Sequence, residues 1–208
     1  MKASFFNISV FALTATLTAL NAQAGIVVET LGSDAAFLDR EFEESFVAEG
    51  RVGIEGPADW EFGLSGADFG SVVHAEHSWQ TTPQVDFSLE YAGGQLTFAI
   101  ADEVLTYTPD VGGGLDAFAI RTRQQDFSSM VLTGLTLDGL TLPDAVSEPH
   151  LKPGANYLFL SALEGLESGF VLAGTAVMDL GTTQPGAELP KRSELAFQIK
   201  GGTAPVDF

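Results

Sequence analysis

The feature that most constrains this chain is the rhythm of its apolar residues after Gly50. Glycine and proline recur at short intervals, and the segments between them alternate with a period of two. In Val85–Tyr91 (VDFSLEY), Val85, Phe87, Leu89 and Tyr91 fall on one side, and Asp86, Ser88 and Glu90 on the other. A residue pair two apart shares a face only in an extended strand, so this segment is a half-buried strand. Ala92-Gly93-Gly94-Gln95 follows as a tight turn, because glycine accepts the positive φ of a hairpin bend. Leu96–Ile100 returns as its partner strand. Similar short segments lie at 25–30, 104–107, 117–121, 130–142 (interrupted at Gly134 and Gly139), 157–163, 170–178 and 195–200. About nine or ten short strands with regular turn signals predict an all-β fold, an antiparallel β-sandwich or jelly-roll-like domain. Helices do not alternate with strands, which argues against a parallel α/β sheet.

One segment reads differently. In Asp34–Glu49, Leu38, Phe42 and Phe46 recur every four residues, Ser33 or Asp34 can cap, and Gly50 can stop. That spacing predicts one amphipathic helix near the mature N-terminus. The domain is expected to span 25–200, with 201–208 as a flexible tail.

The N-terminus carries the three-part export pattern: Lys2, the uncharged apolar run Ile8–Leu20, then Ala22-Gln23-Ala24 with small residues at the two positions a signal peptidase reads. Residues 1–24 are therefore expected to be a signal peptide cleaved after Ala24. The apolar run falls short of the ~20 residues a membrane-spanning helix needs. The mature chain is expected to be secreted, extracellular or periplasmic, with no insertion in a membrane. There is no cysteine, so disulfides, thiolate metal sites and cysteine nucleophiles are excluded.

The charge balance is 9 basic against 28 acidic residues, net −19, with no lysine or arginine from Val52 to Ile120. Phosphate backbones and anionic membranes both need a basic face, so neither nucleic acid nor a lipid surface is expected as a partner. The acidity reads first as a solvating coat and second as an invitation to divalent cations.

Candidate chemistry is thin. His74, Ala75, Glu76, His77 suggests a metal site, but no third ligand is marked and His150 is remote in sequence. Neither His-Glu-x-x-His nor Gly-x-Ser-x-Gly occurs, and carboxylates are too abundant for any pair to signal a glycosidase. The loop Asp110–Asp116 (DVGGGLD) brackets glycines with two acids, so Asp110 and Asp116 are candidate calcium ligands, and calcium is the one cofactor in view. Trp60 and Trp79 are the only tryptophans and the candidate ligand-binding residues: an exposed indole face packs on a sugar ring, whereas a buried one belongs to the core. Trp79 sits among Ser78, Gln80, Thr81 and Thr82, the company of a partly exposed site. Arg121 and Arg123 share a strand face and are expected to pair with carboxylates and orient a loop.

Several segments together carry a resemblance: Phe46-Val47-Ala48-Glu49, then Val85–Ile100, Ala119–Arg123, the Leu-x-Leu-x-Gly step from Leu135 to Gly139, Gly169–Ala176 and Ser193–Lys200 (SELAFQIK). The chain resembles the choice-of-anchor W domains of bacterial surface proteins over nearly all of its mature length. The resemblance implies an exported, β-rich, non-catalytic domain held at the surface by an interchangeable C-terminal tail, and it brings no catalytic residues. This sequence closes on GGTAPVDF in place of an apolar helix and arginine cluster. The expected role is structural or interactive at the cell exterior, with extracellular polysaccharide or a surface protein as partner. A carbohydrate-binding module is the alternative, and a secreted hydrolase the remote one.

Overall fold

The computed structural model describes residues 26–53, 60–67, 72–125, 127–148, 153–181, 190 and 192–205. The signal segment, His150 and the final three residues lie outside them. Among the described residues, fourteen strands form two antiparallel sheets. The first sheet has the order β1 (Val27–Leu31), β12 (Gly154–Ser161), β8 (Ala117–Gln124), β14 (Arg192–Thr203), β2 (Glu43–Val52), β3 (Phe62–Gly66), β4 (Val73–Ala75). The second runs β10 (Leu140–Thr141), β9 (Ser129–Leu137), β13 (Phe170–Asp179), β5 (Gln84–Ala92), β6 (Gln95–Ile100), β7 (Glu103–Tyr107), with β11 (Ala145–Ser147) also pairing β9. The β-sandwich is as the alternation requires, and the β5–β6 hairpin closes on Ala92 opposite Gln95 with Gly93 and Gly94 both at positive φ.

The core lies between the sheets. The inward set of β5, Val85, Phe87, Leu89 and Tyr91, is buried, while Asp86 and Glu90 are exposed. Phe87 stacks on Phe197 of the facing sheet at 5.5 Å, and Phe118 meets Phe170 edge to face at 4.9 Å. Aromatic pairs across the layers add ~0.5–1.5 kcal/mol each to the burial of their area.

The region 34–52 departs from the sequence reading. Helix α1 covers only Asp34–Leu38, capped by Ser33 Oγ, which accepts the Ala36 amide at 3.1 Å. Glu41 then takes a positive φ of 50°, which no helix continues through. From Glu43 the chain is β2, held between β14 and β3, and Phe46 to Gly50 are buried without interruption. Leu38, Phe42 and Phe46 do not share a helical stripe: Leu38 is 73% exposed, Phe42 packs in an outer cluster, and Phe46 is fully buried in the main core. A strand buried on both faces loses the alternation that marks a strand. A chance spacing of four then reads as helix.

The C-terminal limit moves as well. β14 does not end at Lys200: Gly201, Gly202 and Thr203 stay in the sheet, paired with Phe46, Glu44 and Glu43, so the expected tail is ordered at least that far. The glycines there are packing devices. The ring of Phe46 lies over its cross-strand partner Gly201, and the ring of Phe197 lies over its own partner, Gly50. A Cβ on either glycine would meet three ring atoms within 3.0 Å.

The β1–β2 connection must travel from the sheet's edge past β12, β8 and β14. It crosses the outer face of the first sheet, and α1 is the middle of that crossing. Phe37 stacks on Tyr157 at 4.5 Å, and Phe42 and Phe159 complete a second, outer cluster.

Candidate functional site

Four of the side chains that looked chemical in the sequence, Trp60, His74, His77 and Trp79, converge on one corner of the first sheet, where β2, β3 and β4 end. Arg51 is its hub. Its Nε donates to the Trp60 carbonyl at 3.0 Å, and its guanidinium carbon lies 3.5 Å from the centre of the Trp60 ring. That is a cation–π contact. The far end of the Trp60 ring rests over Gly63, where a Cβ would stand 2.7 Å from it, and His74 stacks beside the ring at 6.4 Å. Trp60 is thus half-buried, with a cation already on one face.

Trp79 does not sit at a partly exposed site. It is 3% exposed, and its Nε1 donates to the Arg51 carbonyl at 2.9 Å. Phe62 and His77 meet its ring edge to face at 5.5 and 4.7 Å. The polar neighbours in sequence are a bend that points the indole inward: Thr81 and Thr82 both return amide hydrogen bonds to the Ser78 carbonyl.

His74 and His77 part company. His74 is exposed on the edge strand β4, whereas the His77 ring is tucked by Phe62 at 5.0 Å and lies 3.0 Å from the Thr82 carbonyl through Nε2. The His77 amide donates to Glu61 Oε2 at 3.1 Å. Burial pushes the Glu61 carboxyl above its ordinary range. The His77 amide and Arg51 pull it down, the neighbouring Glu76 pushes it further up, and the net direction is upward. Among the described residues no three His, Asp or Glu side chains are placed to hold a metal ion.

The calcium candidates are not brought together at one centre. Asp110 is exposed and closes its own turn, accepting the Gly112 amide at 3.0 Å. Asp116 accepts the Ala204 amide at 2.9 Å, while its backbone bonds to Gly202 and Leu163. It fastens the end of β14.

Arg121 does what its place on the strand suggested. Its Nη2 donates to Asp34 Oδ1 at 2.9 Å and Nη1 to Gln198 Oε1 at 3.3 Å. Tyr157 donates its hydroxyl to the same Asp34 oxygen at 2.6 Å. Burial would raise the Asp34 carboxyl, but Tyr157, Arg121 and Arg123 outweigh it and hold it below the usual range. Burial and the Asp34 contact push the Tyr157 hydroxyl up. This knot pins α1 to the sheet, so the loop that Arg121 orients is the crossover. Arg123 makes no ion pair among the described residues.

Sequence reasoning missed Arg51 and Glu61. The one signal for Arg51 is that it is the last basic residue before the long stretch without any. Glu61 had none, being one acid among 28. Compared with known proteins, the chain matches no protein-family model and no curated protein.

Proposed function

We propose that this chain is an exported, non-catalytic domain of the cell exterior with a structural or interaction role, of the choice-of-anchor W kind. The observation that carries the reading is that its chemically capable side chains serve as internal fasteners. Arg51 is spent on Trp60, Trp79 on the Arg51 backbone, Arg121 and Tyr157 on Asp34, and Asp116 on β14. The acidic surface keeps such a domain dispersed. Its partner is a surface protein or an extracellular polysaccharide, met after removal of residues 1–24. Cell fractionation with N-terminal sequencing tests this. The reading expects the chain outside the cytoplasm, beginning at Gly25; a cytoplasmic protein still beginning at Met1 would refute it.

A carbohydrate-binding role is the second reading, and Trp60 favours it, being half-buried on the outer side of the first sheet beside Arg51 and His74. A cation against an indole suits an acidic sugar such as a uronate. Affinity electrophoresis in gels cast with a uronate polysaccharide should retard the protein and not its Trp60→Ala variant. Equal mobility with and without the polymer would sink this reading.

A further inference from the structure

We propose that the groove beside the start of β1 is the seat of the processed N-terminus: the α-ammonium of Gly25, created by cleavage after Ala24, docks there against Asp138 and Glu164. The proposal rests on the cleavage given above. The groove encloses about 300 Å³ between Ile26, the β9–β10 turn and the chain that leaves β12. Ile26, Leu137, Leu140, Leu163 and Leu166 form its apolar wall. Asp138 and Glu164 are the charged residues that line it, and no lysine, arginine or histidine joins them among the described residues.

Reach and charge identify the occupant. Ile26 precedes β1 and packs, partly buried, against the main core, so the chain is held at the groove there. Gly25 is the next residue back, one Cα step of ~3.8 Å away. Asp138 and Glu164 are both exposed, and neither has an ion-pair partner among the described residues. Asp138 is fixed in place by the Val171 amide, which donates to its Oδ1 at 2.8 Å. Of the nearby acids, Glu29 on β1 is already taken by Arg40 at 2.9 Å, and Glu167 in the 3-10 turn Leu166–Ser168 does not line the groove. An ammonium set between two unpaired carboxylates is favoured, and a chain with 28 acidic against 9 basic residues has few other cations to offer. In the precursor the same nitrogen is the uncharged amide that joins Ala24 to Gly25. Processing therefore supplies the cation, and the domain gains this contact only once the export segment has gone.

The test is thermal melting of a chain released from a carrier to begin at Gly25, which contains every described strand, with its α-amine either free or selectively acetylated. Made this way, the chain reports on the groove whatever the cell does: failure here leaves the export reading standing, and a cell that retains Met1 refutes export alone. The two carboxylates hold the proton on the ammonium, so its folded pKa rises above the ordinary ~7.7–8.0. Its contribution is full below about pH 7.7 and is lost as pH rises through the raised value. At pH 7 acetylation should lower the melting temperature by ~1–4 °C, and by about pH 10.5 the difference should close. Asp138→Asn combined with Glu164→Gln should abolish the effect of acetylation at pH 7. Asparagine tolerates the positive φ of 49° at position 138, and both sites are exposed, so the fold should survive. If it does not, the pH dependence of the acetylation rate gives the pKa of the amine in the unaltered chain, expected to be higher when folded than in urea. Equal melting of the free and acetylated chains at pH 7 overturns the proposal and returns the groove to a ligand from outside. An acetylation effect that the double variant keeps overturns it too, as does an amine pKa unchanged by folding.

Discussion

Placing an alanine at Gly50 probes the departure from the sequence reading at its centre. In the sheet, Gly50 opposes Phe197, and a Cβ there would enter the Phe197 ring, whose side chain is fully buried. The ring cannot swing outward, because it stacks on Phe87 at 5.5 Å and meets Phe98 edge to face at 6.5 Å. Replacing glycine restricts the unfolded chain and would stabilise by ~0.4–1 kcal/mol if nothing opposed it. Overpacking a close-packed core costs ~1–3 kcal/mol and occasionally more. The clash wins, leaving a net loss of about 1–2 kcal/mol. At ~2–4 °C per kcal/mol for a domain of this size, the melting temperature should fall by roughly 2–8 °C. The assay is thermal melting followed by circular dichroism, with a double-mutant cycle. Phe197→Leu alone destabilises by loss of ring area. Added to Gly50→Ala, it should cost less than the sum of the two, because the methyl then has room. Were residues 34–49 one helix with Gly50 as its C-terminal stop, Gly50→Ala would show no coupling to Phe197. Additive losses would therefore refute the cross-strand arrangement.

Three further outcomes follow from the polar contacts. Tyr157→Phe removes the 2.6 Å hydrogen bond to Asp34 and keeps the ring on Phe37, so it should lower the melting temperature by ~2–6 °C for a loss near 1–1.5 kcal/mol; no change would mean the crossover is held by packing alone. Asp34, held below the ordinary carboxyl range, contributes stability that is full above about pH 4 and is lost as pH falls through its lowered value. Asp34→Asn should narrow the melting difference between pH 7 and pH 3, and an undiminished difference would count against the knot. Glu61 is raised, so its contribution has the opposite sign: present in acid, lost as pH rises through its folded value. Glu61→Gln, which copies the protonated form, should gain more melting temperature at pH 8 than at pH 4; a larger gain in acid would contradict the assigned direction.

The sandwich was legible wherever strands were buried on one side only. In β5, Val85 to Tyr91 alternate because one face meets the core and the other water, and a period of two survives in the sequence. β2 was not legible, because Phe46 to Gly50 are all buried and so do not alternate, while Glu43, Glu44 and Glu49 break the apolar run by which the equally buried 117–120 and 157–160 were read as strands. Gly201 and Gly202 read as a frayed end, since nothing local reveals that a phenylalanine from another strand lies over Gly201. β3 and β4 were hidden for a related reason: Gly63 and Gly66 in β3 are signals of a turn unless one knows that Trp60 rests on Gly63. Of the candidate site, the residue types were legible and their roles were not. His74, His77, Trp60 and Trp79 do gather, but around Arg51, whose part depends on its backbone carbonyl as much as on its charge. Strand alternation placed Arg121 correctly, because its partners Gln198 and Tyr157 lie on the same face across the register.

The most direct test of the claim that these side chains are fasteners is the melting temperature of Trp79→Phe. The substitution keeps a ring between Phe62 and His77 and removes the donor to the Arg51 carbonyl. Losing that hydrogen bond and leaving a partly buried carbonyl without it should cost ~1–3 kcal/mol, a fall of roughly 2–12 °C. A variant that melts with the parent, yet loses retention in a polysaccharide gel, would contradict the account and return Trp79 to the role of a ligand platform.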